Sequence, residues 1–159
     1  MENKRKPKVY FACSIMGGRE FQPIYPVIVK TLEENGIEVL SKEFAESDLT
    51  EEGHNELSPK EIHDRDMAWI DEADFVVAEA SVISMGLGYE LGRLAERDDN
   101  YPYSTPVFIF VKEGRKLSAM IAGNEKNFNI SYYRSEDDLK NRLFDVCKWY
   151  KNKYFKLKI

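Results

Sequence analysis

Thiols and imidazoles are scarce in this 159-residue chain: two cysteines, Cys13 and Cys147, and two histidines, His54 and His63. Two cysteines cannot build a disulfide framework, and neither lies in a CxxC or Cys/His cluster of the kind zinc takes, so no metal is expected. The thiol count points to a reduced compartment, cytoplasmic by default with nuclear as the other option. Long apolar runs are also missing. None approaches the ~20 residues that span a bilayer, and Met1-Glu2-Asn3-Lys4 carries no apolar signal region, so no membrane partner is expected. An excess of positive charge is absent too. Lys+Arg is 23 against Asp+Glu 28, a net charge of −5, whereas a phosphate backbone calls for a basic footprint, so nucleic acid is not expected. The one basic concentration, Lys148, Lys151, Lys153, Lys156 and Lys158, reads as the solvated face of a last helix with a tail from about residue 151. No repeat and no Pro/Gly/Ser linker divides the chain, so residues 1–159 read as one domain.

Hydrophobic residues make up 43% and charged residues 32%, enough apolar material for a globular core. Strand-length apolar runs occur at Lys8–Ser14, Ile37–Ser41, Asp74–Ala80, Pro106–Lys112 and Phe128–Tyr133. Between them lie helical patterns at Tyr25–Asn35, Pro59–Ala73, Leu87–Asp98 and about Ser135 to Tyr154. Ser135 followed by Glu136, Asp137 and Asp138 is a helix start, since acids suit the positive end of the dipole. Strands rich in Val, Ile and Phe that alternate with helices imply a parallel sheet covered on both faces. The expected fold is α/β, a flavodoxin-like (Rossmann-like) five-stranded parallel sheet of order 2-1-3-4-5. Such sheets bind ligands beyond the carboxyl ends of strands 1 and 3, which directs attention to Cys13–Glu20 and Ser81–Gly88.

Two carboxylates fall on apolar helix stripes. Glu90 lies among Leu87, Leu91 and Leu94; Asp66 lies four residues from both Ile62 and Ile70. Each could cap a loop or pair with a base. Together, beside the expected crevice, they suit cleavage at a sugar anomeric carbon, where one carboxylate is ionised and another handles the proton. A first-turn position and the helix dipole assign the ionised role to Glu90, leaving the proton to Asp66. Strand 1 ends in Cys13-Ser14-Ile15-Met16-Gly17-Gly18-Arg19, a glycine-containing turn before a helix that could receive an anion or simply end the strand. Gly86-x-Gly88-x-x-x-Gly92 imitates a dinucleotide loop but follows the third strand and carries Glu90 where pyrophosphate would bind, so no nicotinamide or flavin cofactor is expected. Ser84 could cap that helix or donate to a phosphate shared with Ser14. Tyr10 could be a core tyrosine or a phenol at the crevice. Ser118 in Leu117-Ser118-Ala119-Met120-Ile121 reads as the N-cap of a short packing helix, and both histidines read as surface residues. The acid-rich stretch Phe44–Ser58 is expected to form a mobile flap.

Four segments carry a resemblance. Tyr10-Phe11-Ala12-Cys13-Ser14-Ile15 with Gly17-Gly18-Arg19-Glu20, Ile62-His63-Asp64-Arg65-Asp66 with Trp69, Ser84-Met85-Gly86-Leu87-Gly88-Tyr89-Glu90-Leu91-Gly92, and Leu117-Ser118-Ala119-Met120-Ile121 occur in this order. From about Val9 to Ile121 the chain resembles the 2'-deoxynucleoside 5'-monophosphate N-glycosidases of the nucleoside 2-deoxyribosyltransferase superfamily. The resemblance implies that Glu90 is the nucleophile, giving a covalent deoxyribosyl 5-phosphate intermediate that water opens, with release of free base. It implies that Asp66 transfers a proton or binds a hydroxyl and that Tyr10 assists beside the sugar. Substrate and phosphate would be held by Ser14, Ile15, Met16, Gly17, Ser84, Gly86, Gly88, Ser118 and Met120. Ser118 would reach the phosphate of a neighbouring subunit, so a homodimer is implied, and no cofactor. Met16 stands where the family commonly has an arginine, with Arg19 as a possible substitute. The competing readings are a deoxyribosyltransferase acting on unphosphorylated deoxynucleosides and a non-catalytic nucleotide-binding module.

Overall fold

The computed structural model describes residues 5–49, 56–100 and 105–156, without the side chains of residues 98–100 and 154–156. Five strands form one sheet: β1 (Lys8–Cys13), β2 (Glu38–Val39), β3 (Phe75–Glu79), β4 (Val107–Lys112) and β5 (Phe128–Tyr133). Their order is β2-β1-β3-β4-β5 and every pairing is parallel, as the alternation of apolar runs and helices predicts. The helices are α1 (Tyr25–Glu34), α2 (Pro59–Glu72), α3 (Met85–Asn100), the single-turn α4 (Ala119–Ala122) and α5 (Glu136–Lys156).

The central strands are buried along their length. Val9, Phe11, Phe75, Val77, Val107 and Ile109 meet Ile28 and Leu32 of α1, Ile70 of α2, and Leu91 and Leu94 of α3 in one continuous core. This is the pattern of a sheet covered on both sides. Ser58 caps α2 in a reciprocal box with Glu61, and the Ser135 hydroxyl accepts from the Asp138 N–H at the start of α5. Both cysteines are free and buried. Among the described residues no helix is long and apolar enough to cross a membrane, and no group of three or more His, Cys, Asp or Glu side chains could hold a metal.

Two segments differ from the sequence reading. The second strand, expected over Ile37–Ser41, pairs only at Glu38 and Val39. Past it, the Ser41 hydroxyl accepts from the Phe11 N–H and donates to the Phe11 carbonyl, so a side chain completes the edge where backbone pairing ends. The expected flap is held down where it begins. Lys42–Ala45 forms a 3-10 turn, Phe44, Ala45 and Leu49 are buried, and Arg19 and Gln22 donate to the carbonyls of Phe44, Ala45 and Glu46. Residues 50–55 of that stretch, with His54, lie outside the described residues.

Candidate active site

Parallel strands put their carboxyl ends on one edge of the sheet, and β1 and β3 are neighbours in register from Val9↔Phe75 to Cys13↔Glu79. The loops leaving them diverge, since β2 lies beyond β1 and β4 beyond β3, and sheets of this kind take their ligands in the crevice at that change of direction. Three side chains predicted to be catalytic gather around it. Tyr10 is fully buried on β1 and donates its hydroxyl hydrogen bond to Oε1 of Glu90 on α3 at 2.8 Å. The Tyr10 phenol is pushed well above its ordinary pKa by burial and then by the charges of Glu90 and Asp66, so it stays a donor at physiological pH.

Glu90 does not behave as the helix-dipole argument expects. α3 starts at Met85, so Glu90 is beyond the free N–H groups of the first turn. Burial pushes its carboxyl up to about 8; the Tyr10 hydrogen bond pulls down, and the Asp66 charge pushes further up. Glu90 is therefore mainly protonated at neutral pH, a correction to its expected ionised state. Asp66 sits on α2 with little exposed side chain and accepts from Nε of Arg65 at 2.9 Å. The Arg65 guanidinium lies over the rings of Trp69 (4.7 Å) and Phe44 (5.5 Å) and pairs with Glu43 at 3.0 Å. Phe44 in turn meets the Tyr10 ring edge-on at 6.1 Å. One wall of the crevice is thus aromatic, with Asp66 fastened to it.

The candidate anion cradle is built from the loops after β1 and β3. Ser14 is fully buried, and its hydroxyl has no hydrogen-bond partner among the described atoms. A Cβ on Gly17 would stand 2.4 Å from the Ile83 carbonyl oxygen and 2.8 Å from Ser14 Oγ, so only glycine lets the two loops touch. Ser84 accepts from the Leu87 N–H at 3.3 Å, capping α3, and Gly86 lies beside its hydroxyl. Gly88 has open space around its Cα. Ile15 is partly buried against the core, and Met16 is exposed. Arg19 does not replace the missing arginine: its guanidinium is committed to the carbonyls of Phe44 (3.1 Å) and Glu46 (2.9 Å) and lies over Tyr25.

Ser118 and Met120 stand apart from this cluster on α4. Ser118 occupies the N-cap position but its side chain makes no capping bond, which corrects the expected cap, while Leu117 and Ile121 pack partly buried against the core as a packing helix should. His63 is exposed as expected, with its ring 3.1 Å from the Tyr89 hydroxyl.

A comparison with family models matches residues 9–131 to the nucleoside 2-deoxyribosyltransferase model. The chain belongs to the nucleoside 2-deoxyribosyltransferase family. Within that family it is similar to the 5-hydroxymethyl-dUMP N-hydrolase of Danio rerio, 37% identical over 142 residues that cover 85% of this chain and 92% of the relative. The mouse enzyme of the same name is 39% identical over 134 residues, covering 81% and 73%. A Nematostella vectensis relative, provisionally named 2'-deoxynucleoside 5'-phosphate N-hydrolase 1, is 39% identical over 140 residues, covering 86% and 92%. Among solved structures the fold matches a CMP N-glycosidase of Clostridium botulinum, with TM-score 0.61, 20% identity, and coverage of 86% of this chain and 97% of that one.

The sequence reading missed one buried acid of this deoxyribosyltransferase fold, Glu79 at the end of β3, which is fully buried. The signal was present: a lone carboxylate closing the apolar run Phe75-Val76-Val77-Ala78.

Proposed function

We propose that this N-glycosidase hydrolyses 2'-deoxynucleoside 5'-monophosphates to free base and 2-deoxyribose 5-phosphate through a glycosyl ester on Glu90. The observation that carries the reading is the Tyr10–Glu90 hydrogen bond at the strand 1–strand 3 crevice, with Asp66 close enough to raise the Glu90 pKa. Ionised Glu90 attacks C1', and the C1'–N bond breaks with its electron pair leaving on the base. Asp66, the other acid facing the crevice, gives its proton to the departing base. Tyr10 holds the carboxylate oriented throughout. Water then attacks C1' as its proton passes to Asp66, the ester C1'–O bond breaks, and Glu90 is released as a carboxylate. The 5'-phosphate is received by the unpartnered Ser14 hydroxyl and the Gly17–Ser84 contact. The relatives named for 5-hydroxymethyl-dUMP hydrolysis make a deoxyuridylate with a modified base the first substrate to try.

The active form is proposed to be a homodimer. Met16, Ile83, Met85 and Met120 each expose four-fifths or more of their surface, an apolar set that a second copy would cover. The uncapped Ser118 hydroxyl on α4 is then free to complete the neighbouring phosphate site.

One observation favours a second reading. With Met16 exposed and Arg19 committed elsewhere, the β1 loop brings no cation to the cradle, which suits transfer from unphosphorylated deoxynucleosides. Chromatography of base released from 5-hydroxymethyl-dUMP, dGMP, dAMP, dCMP, dTMP, GMP and CMP and from the matching nucleosides, with and without added adenine, separates the two. Base from deoxy monophosphates upholds the hydrolase. A new nucleoside formed only when adenine is present, from unphosphorylated donors, replaces it with the transferase.

A further inference from the structure

Glu79 is the one fully buried carboxylate among the described residues, and the reaction scheme gives it no task. It ends β3, paired across to Cys13 of β1 and Phe110 of β4, so it stands directly behind the loop 80–84. Its carboxylate collects three donors. The Ser81 hydroxyl and the Tyr133 hydroxyl (3.0 Å) both bond Oε1, and the Ser81 N–H bonds Oε2 at 3.3 Å. Ser81 Oγ also accepts the Lys112 N–H at 2.7 Å. Loop 80–84 is thereby fastened at its root to β4 and β5. Its far end is the part that touches the anion cradle, because the Ile83 carbonyl and Ser84 Cα close on Gly17. A buried carboxylate is costly and is tolerated when its hydrogen bonds are satisfied; two of the three donors here belong to Ser81 of that loop.

We propose that Glu79 is a positioning residue for the 5'-phosphate: by gripping Ser81 from behind, it sets where Ile83 and Ser84 meet the Ser14–Gly17 turn. The proposal rests on the monophosphate reading above. The groups facing Glu79 are Ser81 in its own loop, Cys13 on β1, Tyr25 on α1, Tyr133 on β5, and Arg115 after β4, with Lys112 over the Tyr133 ring. Burial holds the Glu79 carboxyl up to about 7, against the pull of Ser81, Tyr133 and Arg115. Protonation removes an acceptor from a site that offers three donors, so the grip weakens as pH falls through that value.

The test compares the full chain with its Glu79→Gln and Tyr133→Phe variants, measuring kcat and KM for the best deoxy monophosphate and for its unphosphorylated nucleoside at pH 6 and 8. For Glu79→Gln we expect KM for the monophosphate to rise about tenfold at pH 8 with kcat changed less than threefold. The preference for monophosphate over nucleoside should fall about as much, and the KM ratio of variant to wild type should shrink at pH 6. Tyr133→Phe, which removes one donor and leaves the carboxylate, should move the same quantities in the same direction by about threefold. Equal loss on both substrates, or an unchanged monophosphate KM in both variants, overturns the assignment. If the unsubstituted protein releases no base, the reaction falls and calorimetry with inorganic phosphate decides about Glu79. Weaker binding by the variants than by wild type upholds the assignment, and equal binding overturns it.

Discussion

Replacing Glu90 with glutamine should destroy turnover and stabilise the fold at alkaline pH. The carboxyl is pushed from its ordinary 4.5 to about 8, chiefly by burial. A raised acid pKa means that the native state binds the proton more tightly than the unfolded chain. The stability this contributes is fully present below pH 4.5 and is lost as pH rises through about 8. At ~1.4 kcal/mol per tenfold change, complete ionisation costs at most about 5 kcal/mol. Solvent and side chains relax around the new charge, so roughly half of that, about 2–3 kcal/mol, is the expected effect. For a chain of this length that corresponds to a fall in Tm of about 5–10 °C. Glutamine keeps an acceptor for the Tyr10 hydroxyl and never ionises. Differential scanning calorimetry at pH 5.5 and 9 should therefore show Glu90→Gln close to wild type at the lower pH and more stable at the higher one. Glu79, raised to about 7, titrates over part of the same range in both proteins and cancels in the comparison. A variant whose Tm tracks wild type at both pH values, or falls below it at pH 9, would refute the assignment of a buried, raised carboxyl to Glu90.

Tyr10→Phe removes the hydrogen bond that pulls the Glu90 pKa down. The rising limb of kcat/KM should move to higher pH and the rate at pH 7 should fall about tenfold or more, checked by a pH–rate profile; an unmoved limb would remove Tyr10 from the reaction. Gly17→Ala places a Cβ against the Ile83 carbonyl oxygen and Ser14 Oγ. The loops must part, at a cost of about 1–3 kcal/mol in thermal unfolding, with a rise in monophosphate KM. Ser118→Asp should repel the phosphate of a neighbouring subunit. Mixing it with Glu90→Ala should restore up to about a quarter of wild-type activity, because only mixed dimers hold one intact site; a mixture that stays inactive argues against sharing across subunits.

The strands were legible because a parallel sheet leaves long apolar runs, and their order followed from the alternation with helices. Asp66 and Glu90 were legible as polar groups on apolar helix faces, which one element's periodicity is enough to reveal, whereas Tyr10 read equally well as a core tyrosine. What sequence position could not supply was the partner of each polar group. Arg19 looked available for phosphate until the carbonyls of Phe44 and Glu46 claimed it, contacts made across 25 and 27 residues. Glu79 was missed because its donors come from Ser81 nearby and Tyr133 on another strand. Ser118 looked like a cap because capping geometry is local, yet it makes no capping bond.

Glu90 shows most clearly why such pairings matter. Read as a first-turn residue it promises a comfortable anion, whereas burial, and then the charge of Asp66 from α2, make the charge expensive against the pull of the Tyr10 hydrogen bond. On the proposed reaction that expense is functional. Attack on C1' converts the carboxylate to a neutral ester, so the transition state loses charge from a site that disfavours it. Part of the burial penalty carried by the ionised enzyme is then relieved as the C1'–O bond forms. The same enclosure that lowers stability at alkaline pH thus favours bond formation, and the single hydrogen bond from Tyr10 keeps the carboxylate aimed while it is charged.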